Sequence, residues 1–341
     1  MSTEGRTGRR ATITDVARAA GASRTSTSRA LTGRGYTSPE LMARVRAAAD
    51  QLGYVPDALA RGLKQQSTSI IGLLVSDLAN PFYAELASGA SAAARAHGYQ
   101  IMLADTHGEH ALEMDAARNM LAQRVAGLIV TPVTDQPAEL ARRLGTPAVE
   151  IDRGIADVDT VVVENAEGAR LATRHLIDLG HTRIALLTDE TEWTTGRLRR
   201  DGYLQAHADA GLEPDPALLV TAGWNDVAAR ESMAGMLALA DPPTAVFTAN
   251  NLIARGVWHA IRDAGLSLPE DISLVAFDDA PWMSMVTPQV TTVRQDAAQI
   301  GSTAVSRLLG RIDDPDLPVE QVTLPVDLVV RGSTGPSPRR A

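Results

Sequence analysis

Two patterns of apolar and polar positions divide the chain near residue 68. Beyond it, short continuous apolar runs alternate with longer segments whose apolar residues recur at helical spacing, and the first run is SIIGLLVSD (69–77). Continuous apolar runs are typical of strands buried on both faces, and their alternation with helices predicts parallel α/β sheets. Because the alternation repeats on either side of about residue 163, we predict two doubly wound subdomains with a cleft between them.

The segment before residue 68 has helical spacing instead. Within TITDVARAAGASRTSTSRAL, Ile13 and Val16 begin an apolar stripe, and Gly21 is placed to end that helix. Ser23 can cap a second short helix by accepting a free backbone N–H. Two short helices joined by a glycine turn predict a helix-turn-helix unit.

The predicted second helix has one inward stripe and one polar, cationic stripe. Thr27, Ala30 and Leu31 can face inward. The opposite face gathers Arg24, Thr25, Ser28 and Arg29. Arginine can bond the guanine edge, and hydroxyls can donate or accept, so this face suits the major groove of DNA. A solvated polar helix face has the same pattern, and this helix alone does not separate the two interpretations.

The following segments extend the helical region. TSPELMARVRAAADQLGY (37–54) predicts a third helix that Ser38 or Thr37 caps, with Pro39 in its first turn. VPDALARGLKQQST (55–68) predicts a short fourth helix.

Charge is distributed unevenly between the two parts of the chain. The formal net charge is −9, yet residues 1–66 carry 11 Lys+Arg against 5 Asp+Glu and the remainder carries 21 against 36. A basic head on an acidic body is typical of a nucleic-acid-binding module joined to another domain. The absence of cysteine excludes disulfides and thiolate sites and fits a cytoplasmic protein. We expect neither a membrane span nor a secretory signal, because no apolar run has the length or position for one.

Three segments together resemble the lactose-repressor (LacI/GalR) family of bacterial transcription regulators. They are TITDVARAAGAS…SRAL, LGYVPDALARGLK and TSIIGLLVSDLANPFYAEL, in the order and spacing of that family. The resemblance implies an N-terminal all-α helix-turn-helix headpiece, a hinge helix that forms on operator DNA, and an α/β effector domain of two doubly wound parallel-sheet subdomains, like the periplasmic binding proteins.

This resemblance sets the expected domain boundaries. They are a disordered basic tail at 1–10, the headpiece at 11–55, the hinge helix and linker at 56–68, an effector and dimerisation domain at 69–331, and a disordered tail at 332–341. Within the effector domain we expect an N-subdomain at about 69–163 and 296–324 and a C-subdomain at about 164–294 and 325–331.

The resemblance also implies which residues contact DNA. Arg24, Thr25 and Ser28 match base-reading positions, and Leu63 matches a leucine that wedges into the minor groove. The full expected set is Thr12, Ser23, Arg24, Thr25, Ser28, Arg29, Ala60, Leu63 and Lys64. Thr27 departs from the usual valine, which makes the headpiece core more polar.

The ends of the predicted strands indicate where a ligand binds. Ligands of doubly wound sheets lie outside the carboxyl ends of the strands, and these ends are rich in carboxylates, amides, arginine and aromatic rings. Such groups suit a sugar, although any one of them could simply meet solvent. These residues are Asp77, Asn80, Phe82, Tyr83, Asp105, Asp152, Arg153, Asp189, Trp193, Trp224, Asn250, Asn251, Asp278, Asp279 and Trp282.

The resemblance narrows this set. Arg199 and Asp278 match the family residues that hold the effector, and Asn80 and Phe82 match the first cleft loop. Asn251 stands where many sugar-responsive members have aspartate. The expected effector-binding residues are Asp77, Asn80, Phe82, Arg153, Arg199, Trp224, Asn251, Asp278 and Trp282.

We therefore predict a DNA-binding transcriptional regulator, a repressor that binds a near-palindromic operator as a homodimer and responds to a small ligand, with a sugar as the first candidate. A nucleoside or purine, another non-sugar effector, or a corepressor remains open. An enzyme or a sugar-binding protein on the same scaffold is a more remote alternative, because the chain lacks GxGxxG after its first strand, a P-loop and a GxSxG elbow. The histidines show no ligand spacing, so we assign no metal and no cofactor.

Overall fold

The computed structural model describes residues 11–32, 36–54, 68–189 and 193–338. The chain forms two compact units, Met1–Thr68 and Ser69–Ala341.

The first unit contains three short helices, α1 (Ile13–Ala19), α2 (Arg24–Thr32) and α3 (Pro39–Gln51). Their core is small and mostly aliphatic: Val16, Ala20, Ala30, Val45, Ala48 and Ala49. Gly21 has a φ of +61°, the left-handed conformation that the sequence predicted for the residue ending α1. Ser38 caps α3 through the Leu41 N–H, which confirms one of the two predicted caps.

The second unit contains two six-stranded sheets. The strands are β1 Ile70–Val75, β2 Gln100–Asp105, β3 Gly127–Val130, β4 Ala148–Ile151, β5 Asp159–Val163, β6 Ile184–Thr188, β7 Leu219–Thr221, β8 Ala245–Thr248, β9 Ser273–Phe277, β10 Thr291–Arg294, β11 Gln321–Leu324 and β12 Asp327–Val329. In the N-terminal sheet the order is β11-β5-β4-β3-β1-β2, and all neighbours are parallel. In the C-terminal sheet the order is β12-β10-β9-β8-β6-β7, and all neighbours are parallel except β10 and β12.

Helices cover both faces of each sheet. They are α4 Pro81–Ala96, α5 His110–Ala122, α6 Gln136–Arg143, α7 Asn165–Asp178, α8 Thr194–Asp209, α9 Asp226–Leu237, α10 Asn251–Asp263 and α11 Ala297–Asp313. One apolar cluster runs from α4 and α11 to α7 and α8, and separate clusters lie under α5 and α6 and under α9 and α10. A Cβ at Gly89 would overlap the Ala298 carbonyl oxygen, and one at Gly202 would overlap that of Ala166, so glycine permits the close α4–α11 and α7–α8 packing.

The two sheets have the same strand order, so each strand of one has a counterpart in the other. β4 corresponds to β9, and both lie in the interior of their sheets. The chain passes from one subdomain to the other three times, between β5 and α7, between β10 and α11, and between β11 and β12. This arrangement leaves the carboxyl ends of β4 and β9 available to the same cleft.

The predicted disorder of the tail is wrong for residues 332–338. Ser333 is buried, its Oγ donates to the Leu274 carbonyl oxygen at 2.6 Å and accepts the Thr291 N–H at 2.8 Å. The Gly335 carbonyl oxygen lies 3.1 Å from His181 Nε2. The small polar side chains that suggested disorder instead satisfy backbone groups beside β9 and β10. Among the described residues, no helix is long and apolar enough to cross a membrane.

Candidate functional site

The exposed face of α2 carries the predicted DNA-reading side chains. Ser23 Oγ accepts the Ser26 N–H at 3.0 Å, which confirms it as the cap of α2. Arg24 and Thr25 are exposed, whereas Thr27 is fully buried, so the polar and inward stripes separate as the sequence predicted. Arg29 is also exposed and Ser28 is half-buried.

The other residues expected to contact DNA are Thr12, before α1, and three residues of the predicted hinge helix. Thr12 accepts the Asp15 N–H and donates to the Asp15 carboxylate at 2.6 Å, so its hydroxyl forms the capping box of α1. Ala60, Leu63 and Lys64 lie outside the described residues.

The cleft of the second unit is built on two aspartates at equivalent strand ends. Asp152 follows β4 and Asp278 follows β9, and both have left-handed backbone conformations with φ of +65° and +72°. Such conformations are uncommon for residues other than glycine and persist where the surroundings fix them. The repeated fold therefore brings two aspartates with left-handed backbone conformations to the cleft, one from each subdomain.

Asp278 is the centre of a hydrogen-bonded network that joins the subdomains. Its Oδ2 accepts from Asn251 Nδ2 at 2.8 Å, and its Oδ1 accepts from Gln295 Nε2 at 2.6 Å. Asn251 Nδ2 also donates to Asn80 Oδ1 at 2.9 Å, which links α10 to the loop before α4. Because asparagine supplies an N–H where aspartate could not, this bridge depends on the departure noted in the sequence.

Arg199 on α8 is held rigidly beside this network. Its Nε donates to Asn165 Oδ1 at 2.8 Å, and its Nη1 donates to the Ala249 carbonyl oxygen. The guanidinium carbon lies 3.7 Å from the centre of the Phe277 ring, a cation–π contact. A planar, fully fixed guanidinium is suited to bidentate recognition of ligand oxygens.

Arg153 occupies the N-terminal half of the cleft. It is 1% exposed, and its Nη2 donates to Ser76 Oγ at 2.8 Å and to Tyr83 Oη at 3.4 Å. The guanidinium carbon lies 4.0 Å from the centre of the Trp193 ring and 5.5 Å from that of Trp224. The site thus combines a buried cation with two aromatic faces.

Several buried polar atoms in this cleft have no hydrogen-bond partner among the described residues. They are Nε and Nη1 of Arg153, Nδ2 of Asn250 and Oε1 of Gln295. Arg153 Nε lies 3.6 Å from Asp152 Oδ2, a distance that retains charge attraction but exceeds a hydrogen bond. Buried groups are usually satisfied, so unpaired donors and an unpaired acceptor in one cleft indicate ligand-binding positions.

The charges around these atoms are nearly balanced. Two guanidiniums, those of Arg153 and Arg199, lie among three buried carboxylates, those of Asp152, Asp189 and Asp278. Burial raises the pKa of Asp152, although Arg153 and Arg199 act in the opposite direction. This environment favours a ligand without strong charge of its own.

Tyr83 remains a protonated hydrogen-bond donor. Burial, and then the charge of Asp152, raise the pKa of Tyr83 above its usual value. Its hydroxyl donates to Asp152 Oδ2 at 3.2 Å. The phenol therefore orients Asp152 toward the cleft.

The other residues expected to bind the effector differ in their surroundings. Phe82 lines a cavity of about 380 Å³ together with Asn251, Asp278 and Gln295. Trp224 donates to Asp189 Oδ2 at 3.3 Å and belongs to the aromatic group. Asp77 accepts the Ala79 N–H at 2.8 Å and so stabilises its own loop.

Trp282, another of the expected effector-binding residues, packs within the C-terminal subdomain. Its ring lies 6.2 Å from that of Trp258, and both pack against the apolar cluster under α9 and α10. A tryptophan near a strand end can turn back to the core when the following turn, here Pro281–Ser284, directs it there.

Some site residues were absent from the sequence prediction. Gln295 and Asn165 were not predicted. Gln295 directly follows β10 and Asn165 begins α7, so each lies at a crossing between the subdomains. A polar residue shortly after an apolar strand is the signal that the sequence offers for them. Among the described residues, no group of histidine or carboxylate ligands could hold a metal ion.

Comparisons with known proteins agree with both halves of this description. Residues 12–57 match the family described as bacterial regulatory proteins, lacI family, and residues 173–334 match the periplasmic binding protein-like domain. The chain is 36% identical over 328 residues to the ribose operon repressor of Escherichia coli (strain K12), covering 95% of this chain and 99% of that protein.

Solved structures give the same result. The Lac repressor dimer bound to operator and the anti-inducer ONPF is 30% identical, with a TM-score of 0.85 over 96% of this chain and 100% of that one. A LacI-family regulator from Enterococcus faecium with bound ribose is 28% identical, with a TM-score of 0.71 over 78% of this chain and 98% of that one. The relatives named as repressors match 89–95% of this chain. This chain belongs to the lacI family of bacterial transcriptional regulators, with a DNA-binding domain and a ligand-binding domain.

Proposed function

We propose that this regulator is a cytoplasmic repressor that binds a near-palindromic operator as a homodimer, and that a neutral sugar in the cleft controls its affinity for DNA. The carrying observation is the set of buried, unpaired polar atoms on Arg153, Asn250 and Gln295. A polyol supplies both acceptors for the arginine and amide donors and a hydroxyl donor for the glutamine oxygen.

Aromatic composition and charge support a neutral sugar. The indoles of Trp193 and Trp224 offer apolar surface for the C–H face of a ring. The carboxylates of Asp152, Asp189 and Asp278 outnumber the guanidiniums of Arg153 and Arg199, so we expect sugar phosphates and sugar acids to bind less tightly.

The DNA side of the proposal rests on α2. Arg24 and Thr25 are exposed near its N-terminus, where a recognition helix approaches base edges. Arginine and hydroxyl side chains can read bases there or hold phosphates. A homodimer would present two such helices and so favour a near-palindromic site.

Ligand control would act through the crossings between subdomains. The Asn80–Asn251 bond joins the subdomains directly, and Asp278 and Gln295 connect that bond to the crossing after β10. A ligand bonded to both halves shifts the subdomain equilibrium by its difference in affinity for the two arrangements.

The test is thermal unfolding of the full chain with neutral pentoses and hexoses, sugar phosphates, sugar acids and nucleosides. A ligand at 100 times its Kd adds about 2.7 kcal/mol of stability. Operator selection from random duplexes, with and without the stabilising compound, then measures its effect on DNA binding. The proposal fails if only charged compounds or nucleosides stabilise the protein, or if a stabilising sugar leaves operator affinity unchanged.

A further inference from the structure

Strand β4 contains a carboxylate where its pattern calls for an apolar residue. Glu150 is 0% exposed, between Val149 and Ile151, which pack in the main core. Its side chain points to the opposite face of the sheet, where the cluster under α5 and α6 lies. A buried carboxylate is costly unless it is well bonded, so its partners indicate what it does.

The partners of Glu150 belong to the loop that carries Arg153. Its Oε2 accepts the Ile155 N–H at 2.6 Å and the Ala156 N–H at 3.1 Å, and its Oε1 lies 3.2 Å from the Ala156 nitrogen. The same loop begins with the left-handed Asp152. One carboxylate therefore ties down the far end of a strained turn.

The two ends of this turn are held by different contacts. The Asp152 N–H bonds to the Val161 carbonyl oxygen at 3.0 Å, and the Arg153 side chain bonds to Ser76, whereas Ile155 is almost half exposed and contributes little burial. The Arg153 N–H bonds back to the Ile151 carbonyl oxygen at 2.7 Å. Left-handed residues persist when neighbouring bonds over-determine the backbone, and Glu150 supplies such bonds on the side away from the cleft.

We propose that Glu150 is a positioning residue for ligand binding, which holds the 152–156 loop so that Arg153 meets the ligand without touching the ligand itself. The part about ligand affinity rests on the proposed function. The part about the loop does not, because it concerns only the position of Arg153 against Trp193.

The proposal makes Arg153 sensitive to pH through a group outside the cleft. Burial raises the pKa of Glu150 to about 7, against the hydrogen bonds from Ile155 and Ala156. Protonation replaces one acceptor oxygen by a hydroxyl and weakens the hold on the loop. The charged groups that act on this carboxylate are Glu113 on α5 and Asp135, the residue before α6, and both raise its pKa.

Glu113 offers a matched control. It is also 0% exposed and also holds a loop, because its Oε1 accepts the Val133 N–H at 2.8 Å. That loop carries none of the cleft residues described above. The charge of Glu113 raises the pKa of Glu150, so Glu113→Gln should retain the effect but move its midpoint to lower pH.

The first arm of the experiment uses tryptophan fluorescence of the ligand-free full chain from pH 5 to 9. The guanidinium of Arg153 lies 4.0 Å from the Trp193 ring, so the wild type should show a step with a midpoint near pH 7. Trp193→Phe should remove the step and so identify the reporter, and His110→Asn should leave it in place. Glu150→Gln should abolish it.

The second arm measures D-ribose binding by calorimetry at pH 8 and pH 6. If only the ionised form positions Arg153, the wild-type Kd should rise about tenfold, as the competent fraction falls. In Glu150→Gln the Kd should be weaker and the same at both pH values. If the wild type does not bind D-ribose, ribose is excluded as the ligand of the cleft. The fluorescence arm then still tests whether Glu150 holds the loop.

Two results would overturn the positioning role. One is a fluorescence step that persists unchanged in Glu150→Gln. The other is an unchanged midpoint in Glu113→Gln, which applies even if Glu150→Gln does not fold.

Discussion

At the residue scale, Arg153 is the buried cation of the cleft. Its Nη2 donates to Ser76 Oγ, and its charge lies beside the buried carboxylate of Asp152, while its Nε and Nη1 have no hydrogen-bond partner among the described residues. We expect Arg153→Met to lower the melting temperature without added sugar, because it leaves Asp152 buried without a cation, and to weaken sugar binding by about 2 kcal/mol or more, the value of hydrogen bonds to a charged donor. Thermal unfolding and calorimetry measure the two effects.

The control for that prediction is Arg170→Met, which removes an arginine paired with Glu167 on the surface of α7. It should change neither quantity appreciably, since exposed ion pairs contribute about 0–1 kcal/mol. Unchanged sugar binding by folded Arg153→Met would contradict the assignment of Arg153 to the ligand site.

A second residue-scale prediction concerns Thr27 in the headpiece. Its side chain is fully buried, and its Oγ1 has no hydrogen-bond partner among the described residues. Thr27→Val keeps the branched shape and removes the unsatisfied hydroxyl, so the headpiece should gain about 1 kcal/mol. Hydrogen exchange of the α1–α3 amides in the full chain measures this gain. Thr25→Val, on the exposed face, should give none; an equal gain there would assign the effect to helix propensity.

At the scale of elements, a buried ion cluster fixes α11 to the N-terminal sheet. Asp159 opens β5 with its side chain 1% exposed, 2.7 Å from Arg307 and 2.8 Å from Arg311. Burial alone would raise the pKa of Asp159, but the hydrogen bonds from these arginines lower it overall. Asp159→Asn should cost about 1.5–3 kcal/mol, because the hydrogen bonds from Arg307 and Arg311 lose their charged acceptor, although Arg307 keeps Glu320 at 2.6 Å.

The matched control is Asp327→Asn, whose exposed pair with Arg294 at 3.2 Å should be worth under about 1 kcal/mol. The pH dependence has a definite sign. Because the folded pKa of Asp159 is depressed, its contribution is present above the unfolded value of about 3.9 and is lost as pH falls through the folded pKa. Denaturant unfolding between pH 7 and 3 should therefore show the wild type and Asp159→Asn converging at low pH. Parallel curves would contradict this account.

The same scale shows what the sequence could predict. Apolar runs located the strands because strands in interior sheet positions are buried on both faces, and Gly21 and Ser23 located the ends of α1 and α2 because cap chemistry is local. The start of α5 at His110 has no such signal, because Glu109 precedes it without a side-chain cap. The positions of Asp278 and Asn80 after apolar strands indicated that they lie in the cleft. The role of Glu150 has no such signal, because it lies inside β4 and depends on the loop that folds back over it.

At the scale of the whole molecule, the two subdomains have the same strand order and contribute equivalent strand ends to one cleft. Equivalent strands β4 and β9 each deliver a left-handed aspartate, yet the chain gives the two halves different partners. The N-terminal half supplies Arg153 with aromatic rings, and the C-terminal half supplies Asp278 with amides. The affinity of a ligand that bonds to both halves depends on the distance between the subdomains. This dependence is the condition for coupling to a second site.

Coupling of this kind must be reciprocal. If the sugar changes operator affinity by a given factor, the operator must change sugar affinity by the same factor, typically 5–150-fold. We expect equal factors from two titrations: operator affinity with and without saturating sugar, and sugar affinity with and without saturating operator duplex. Arg153→Met should reduce the factor toward one at sugar concentrations that saturate the wild type, while leaving sugar-free operator affinity intact. Unequal factors in the wild type would mean that the thermodynamic cycle contains a further equilibrium, such as dissociation of the homodimer. In that case each factor should vary with protein concentration, because assembly then contributes to the coupling.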